Sequence, residues 1–186
     1  MPPSTYYAVL LALVLGGGQS VLAADKKPLI ANPTVEKVLR KELKKPEGEL
    51  TKADLEKVTR LSLPNKEITD AGLKDVAKLE KLTSLNLNYT KITDAGLREV
   101  AKLKNLTTLG LADTQITDAG LKDVAKMKQL TRLSLFRTKI TDAGLKELAK
   151  LQQLRYLYLS DTKITKAGVA ELKKALPKCE IRHDFD

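Results

Sequence analysis

Tryptophan is absent from the 186 residues, histidine and cysteine occur once each, as His183 and Cys179, and aromatic residues are limited to five tyrosines and two phenylalanines. A lone cysteine excludes an intramolecular disulfide, so stability must come from packing. With no His or Cys pair at metal-ligand spacing and no Gly-rich phosphate loop, the chain offers nothing to hold a metal or cofactor and no catalytic residue set, which argues against an enzyme. Proline and glycine, at 7 and 10 residues, punctuate the chain but do not dominate it. Charge is unbalanced, with 33 Lys and Arg against 23 Asp and Glu for a formal net charge of +10. The basic residues are scattered instead of gathered into an arm, and no nucleic-acid-binding motif is present, so a nucleic-acid partner is not expected. Anionic partners of other kinds remain compatible with that balance.

Residues 1–24 carry no charged side chain, and Ala8 to Leu15 is an unbroken apolar stretch. Val21-Leu22-Ala23 puts small residues where a signal peptidase cuts, so 1–24 reads as a signal peptide, too short to span a bilayer comfortably. Its start has no Lys or Arg, which leaves an uncleaved anchor as the alternative. No Cys lies near the cleavage point, which gives no support to lipid attachment. The expected address is exported, periplasmic or secreted, with no membrane span after cleavage.

What the chain has in abundance is repetition. Five 24-residue segments begin at Val58, Leu82, Leu106, Leu130 and Leu154. Four carry Ile-Thr-Asp-Ala-Gly-Leu at one offset, from Ile68, Ile92, Ile116 and Ile140, and the fifth reads Ile164-Thr-Lys-Ala-Gly-Val169. A fixed period of this length headed by Leu-x-x-Leu-x-Leu is the mark of a stacked solenoid, whose units cannot bury their apolar faces alone. The division expected is a signal peptide over 1–24, a helical N-terminal cap over 25–57, five repeats over 58–177, and a capping strand and tail over 178–186.

Within one unit, Leu82, Leu85 and Leu87 alternate as the inward side of a short parallel strand, leaving Thr83, Ser84, Asn86, Asn88 and Tyr89 on the concave face. Thr90 and its counterparts Thr114, Thr138 and Thr162, with Lys66 in the first unit, suggest hydroxyls that satisfy turn amides. Thr69, Thr93, Thr117, Thr141 and Thr165 are expected helix N-caps, each followed by an acid in the first turn except where Lys166 replaces it. Because the Thr is kept in all five units and the acid in four, the hydroxyl reads as the more necessary partner. Leu97, Val100, Ala101 and Leu103 mark the buried stripe of a helix of about ten residues on the convex side. Gly96 and its counterparts point to close approach of neighbouring coils. At the ends, Asn32-Pro33 opens a capping helix through about Lys44, and Thr51-x-x-Asp54 opens a second, both expected over the first strand's free edge. Cys179 to Arg182 add a final strand with Cys179 toward the core, and the tail from His183 to Asp186 is expected to be loose.

The pattern Leu-x-x-Leu-x-Leu-x-x-Thr-x-Ile-Thr-Asp-Ala-Gly-Leu resembles the leucine-rich repeat family, most of all the Thr-bearing variants of exported planctomycete-type bacterial proteins, over about two-thirds of the chain. Residues Lys45 to Leu55 are similar to the N-terminal cap of bacterial members. The resemblance implies an α/β solenoid with parallel strands on the concave face and helices on the convex face, binding proteins or glycans without catalysis. The helical run is also similar to repeats of eukaryotic F-box-associated proteins, which makes a substrate-receptor role a less favoured alternative.

Four of the five aromatic residues outside the first 24 fall at outward positions: Tyr89, Phe136, Tyr156 and Tyr158. Stacking the units sets Arg132 beside Tyr156, Phe136 diagonal to Tyr158 and Arg155 at the edge, an aromatic and basic patch of interface residue types. Such a row also stabilises a sheet by stacking on itself. Gly110 and Ala112 leave a shallow dip alongside, and Arg137 lies between Asp113 and Asp161 as a charge ladder. The expected function is a noncatalytic exported scaffold that docks a protein partner on this face. Binding of an anionic glycan or envelope polymer by dispersed basic residues is the alternative.

Overall fold

A computed structural model describes residues 27–64 and 67–185. The signal segment and Lys66 lie outside these. Leucines spaced for strand and then helix, repeated every 24 residues, produce the element order α1 (Pro33–Glu42), α2 (Lys52–Leu55), β1 (Arg60–Ser62), α3 (Asp70–Val76), β2 (Ser84–Asn86), α4 (Asp94–Val100), β3 (Thr108–Gly110), α5 (Asp118–Val124), β4 (Arg132–Ser134), α6 (Asp142–Leu148), β5 (Tyr156–Tyr158), α7 (Lys166–Ala175) and β6 (Glu180–Arg182). Among the described residues the strands form one parallel sheet in sequence order, β1 through β6. Its register advances by 24 residues per strand, so Leu61, Leu85, Leu109, Leu133 and Leu157 make one inward row that ends at Ile181. Those leucines are at most 2% exposed. Each contributes roughly 1.5–3 kcal/mol through burial, which three-residue strands and seven-residue helices need because neither is stable alone.

Four central helices, α3 to α6, are seven residues long instead of the expected ten or so. Each α-helix stops at an alanine that still donates to the carbonyl four residues back, and the chain then tightens through three-residue turns such as Leu103 N–H to Val100 C=O. That turn swings Leu103 into the core, where it is 1% exposed.

The glycines sit where coils touch. A Cβ on Gly96, Gly120 or Gly144 would strike the carboxylate of Asp70, Asp94 or Asp118 in the preceding unit. At the first unit, a Cβ on Gly72 would lie 2.9 Å from the Asn32 amide nitrogen. Asn32, which caps α1 by accepting from Val35 N–H at 3.0 Å, thus occupies the place an aspartate holds further along. The N-terminal cap is tied on by Asp75, which accepts from the Ala31 and Asn32 amides at 2.8 and 2.7 Å. Thr51 and Asp54 form a reciprocal capping box on α2.

The tail corrects one expectation. Instead of hanging loose, Asp184 accepts from Asp161 N–H at 2.6 Å and Phe185 packs against the core, its ring 5.7 Å from that of His183. The inward row ends at Ile181, 9% exposed, and Phe185 is a partly buried residue packed on the core. Cys179 is half-buried beside the same end, and burial pushes its thiol up to about 11, which suppresses the reactive thiolate.

Candidate binding face

Two rows of side chains cross the concave surface, fixed by register. The first runs Arg60, Ser84, Thr108, Arg132, Tyr156, Glu180, and the second Ser62, Asn86, Gly110, Ser134, Tyr158, Arg182. Aromatic and basic groups therefore collect at the C-terminal end. The Arg132 guanidinium lies over the Tyr156 ring at 4.7 Å and that of Arg182 over Tyr158 at 5.4 Å. Glu180 pairs with Arg182 at 2.9 Å, which favours the charged guanidinium. Tyr156 remains 40% exposed, so its outer ring face is open.

Three of the six candidate contact residues, Tyr89, Phe136 and Arg155, stand elsewhere than on strands. Tyr89 has φ of 58°, in the left-handed region, and Asp113, Arg137 and Asp161 share that conformation at the same place in their units. Tyr89 and Phe136 thus belong to the turn that follows each strand, at the rim of the face. Tyr89 is 49% exposed. Phe136 lies under Arg137, whose guanidinium is 5.8 Å from its ring, and among the described residues no ring contact joins it to Tyr158. Arg137 reaches Asp113 at 3.8 Å and Asp161 at 3.9 Å, the ladder expected of it. Arg155 turns away from the tyrosines, with Nη1 donating to the Gln152 and Leu154 carbonyls at 3.4 and 3.3 Å. Its place just before β5, at the strand's entry, explains that direction.

Four of the five threonines cap their helices as expected, while the aspartates do different work from that read in the sequence. Thr93, Thr117 and Thr141 accept from the Ala95, Ala119 and Ala143 amides at 3.2–3.3 Å, and Thr165 accepts from Gly168 N–H at 3.1 Å. Thr69 makes no such bond. The difference lies in the preceding unit: Asp70, Asp94, Asp118 and Asp142 each accept both the amide and the hydroxyl of the next unit's threonine, at 2.8–2.9 and 2.6–2.7 Å, and no repeat precedes Thr69 to hold its hydroxyl in place. The aspartate is a bridge between coils, and Lys166 stands at its position in the fifth unit. The threonines after each strand also correct an expectation. Thr90, Thr114, Thr138 and Thr162 donate to the carbonyl three residues back at 2.6–2.7 Å, so they satisfy turn carbonyls and not turn amides.

The dip at Gly110 is larger than the sequence implied. Asn88 reaches across it to accept from Ala112 N–H at 2.8 Å, and a Cβ on Gly110 would sit 2.7 Å from that oxygen. A concave depression of about 580 Å³, with Gly110 in its lining, opens over β1 to β4, bounded by Arg60 and Glu42 at one end and by Arg132 and Tyr158 at the other. Arg60 escaped the sequence reading, although adding three periods to its number gives Arg132 and would have put both in one row. Ala112, at 5% exposed, lies under the rim and not in the dip.

Among the described residues, no group of three His, Cys, Asp or Glu stands close enough to hold a metal, and no helix is long and apolar enough to cross a membrane. Residues 80–123 match a family model described as leucine-rich repeats in two copies, and residues 127–149 match one described as a leucine-rich repeat. No curated protein matches the chain. Among solved structures, a leucine-rich repeat protein of Leptospira interrogans is 31% identical over 74% of this chain and 34% of its own, with a TM-score of 0.56. The chain thus spans about a third of that protein. An internalin of Listeria monocytogenes is 20% identical, covering 87% of this chain and 59% of its own, with a TM-score of 0.50. Internalin C2 of the same organism is 22% identical over 84% and 88%, with a TM-score of 0.46. At these identities the internalin likenesses concern the fold alone.

Proposed function

Because the chain belongs to the leucine-rich repeat family, a family of solenoids without catalysis of their own, we propose that it is a noncatalytic, exported scaffold that docks a protein partner on its concave sheet. The observation that carries this reading is the exposed pairing of Arg132 with Tyr156 and of Arg182 with Tyr158 on adjacent strands. Rigid aromatic faces and planar guanidinium groups are the residue types that dominate interface energetics. Tyr89 and Phe136 extend the surface along the turn rim, while Arg155 has a lesser part since its donors face nearby carbonyls.

Affinity capture with the mature chain identifies the partner, and Tyr156→Ala with Tyr158→Ala tests the face. Capture is expected to fall by about a hundredfold or more, as for loss of two central anchors, with the circular dichroism spectrum unchanged. Undiminished capture by the folded double variant would remove the assignment. The export half of the proposal is checked by intact-mass measurement on protein from its native host, where a chain still beginning at Met1 contradicts cleavage.

A further inference from the structure

The aromatic end of the sheet leaves the depression over β1 to β4 without a role. Its floor is uncharged, with the polar side chains of Ser62, Ser84, Asn86, Thr108 and Ser134 standing over the strand leucines. The hydroxyls of Ser84, Thr108 and Ser134 have no hydrogen-bond partner among the described residues, and neither has the Arg60 guanidinium. Strands β1 to β5 carry no acidic residue at all, so positive charge stands at the two ends of the depression, on Arg60 and Arg132, with Glu42 of α1 the only carboxylate on its lining.

We infer that this depression is a docking site for an extended acidic segment of a protein, with two carboxylates four residues apart held by Arg60 and Arg132. The inference deepens the concave-face reading and rests on it. Arg60 and Arg132 lie in one register row three strands apart, which at about 4.8 Å per strand separates their backbones by roughly 14 Å. An extended chain rises about 3.4 Å per residue and shows alternate side chains on one face, so residues i and i+4 point the same way at about the same separation. Between them, the side chain at i+2 lies over the floor between Ser84 and Thr108, the two residues that separate the arginines in their row. The free hydroxyls suit the unpaired backbone amides and carbonyls of an extended segment, which a helix would not present. A sulfated glycan carries charge along its whole length and would demand cations throughout the floor, where this face has neutral groups.

Nuclear magnetic resonance titration of the mature chain tests the site with three probes: a nine-residue Gly/Ser peptide with Glu at its third and seventh positions, the same composition with the two Glu adjacent, and a heparin-derived tetrasaccharide. The spaced peptide is expected to shift the amides of Ser84, Thr108 and Gly110 and to bind about fivefold more tightly than the adjacent one. Arg60→Gln should weaken it by a similar factor, and Glu42→Gln should tighten it. Shifts confined to the convex lysines, indifference to Glu spacing or to Arg60→Gln, tighter binding of the tetrasaccharide in the depression, or no shift by about 5 mM peptide would each overturn the inference. Capture of the native partner separates the two readings. Retention by Arg60→Gln with loss by the tyrosine double variant sinks the acidic segment alone, whereas retention by both sinks the concave face as well.

Discussion

At the scale of single residues, one hydroxyl can serve two helices, and the first unit supplies the internal control. Thr117 donates to Asp94 of the coil before it and accepts from Ala119 N–H of its own helix. Thr69 has no such cap bond. Thr117→Ala should therefore cost about 1–2 kcal/mol, while Thr69→Ala should be close to neutral. Urea unfolding of the two variants side by side measures this, and equal losses would mean that the threonine acts through β-propensity or local packing instead. The same scale shows why Tyr89 is a rim residue. It lies three residues beyond the end of β2, in a left-handed conformation that takes it out of the strand's alternation.

For elements, spacing between helices outweighs helix propensity. An interior glycine ordinarily disfavours a helix by about 1 kcal/mol relative to alanine, which would make Gly120→Ala stabilising. A Cβ at that position meets the Asp94 carboxylate, with its Cγ at 3.0 Å and the Leu97 Cδ1 at 3.0 Å. Separation of α4 from α5 would also break the two bonds that Asp94 makes to Thr117. Gly120→Ala should lower the melting temperature, by an amount corresponding to about 1–3 kcal/mol. Adding Asp94→Ala should not lower it by its full separate amount, because both changes act on one contact. A rise in melting temperature for the single variant would show that the helices can move apart freely.

For the whole molecule, the stack is asymmetric in its response to acid. Hydrogen bonds from Lys45 and Thr51 hold Asp54 far below the usual carboxylate range. Burial favours the neutral form of Asp75, but hydrogen bonds from Lys78 and from the Asn32 and Ala31 amides outweigh it and leave its pKa below the ordinary 3.8. A carboxylate with a depressed folded pKa stabilises the fold fully above its unfolded value and loses that contribution as pH falls toward the folded one. Both groups fasten the N-terminal cap. Below about pH 4, the cap should loosen before the repeats, with hydrogen-exchange protection at Val35 and Leu39 falling first. Asp75→Asn should reduce the pH dependence. Uniform loss of protection from α1 to α7 would contradict a locally fastened cap.

The sequence alone determined the solenoid, the inward leucines, the concave strand face and the row that sets Arg132 beside Tyr156, because a fixed 24-residue translation converts chain position directly into register. Arg60 was legible by the same arithmetic. Tertiary structure decided what depends on ångström-scale reach between coils. An aspartate in a helix's first turn looks the same in one dimension whether it serves its own amides or the next coil's threonine, and only packing showed the second. The left-handed turns that move Tyr89 and Phe136 to the rim, the rotation of Arg155 toward loop carbonyls, the return of Phe185 to the core and the depression around Gly110 likewise arise from contacts between units, which no single repeat contains.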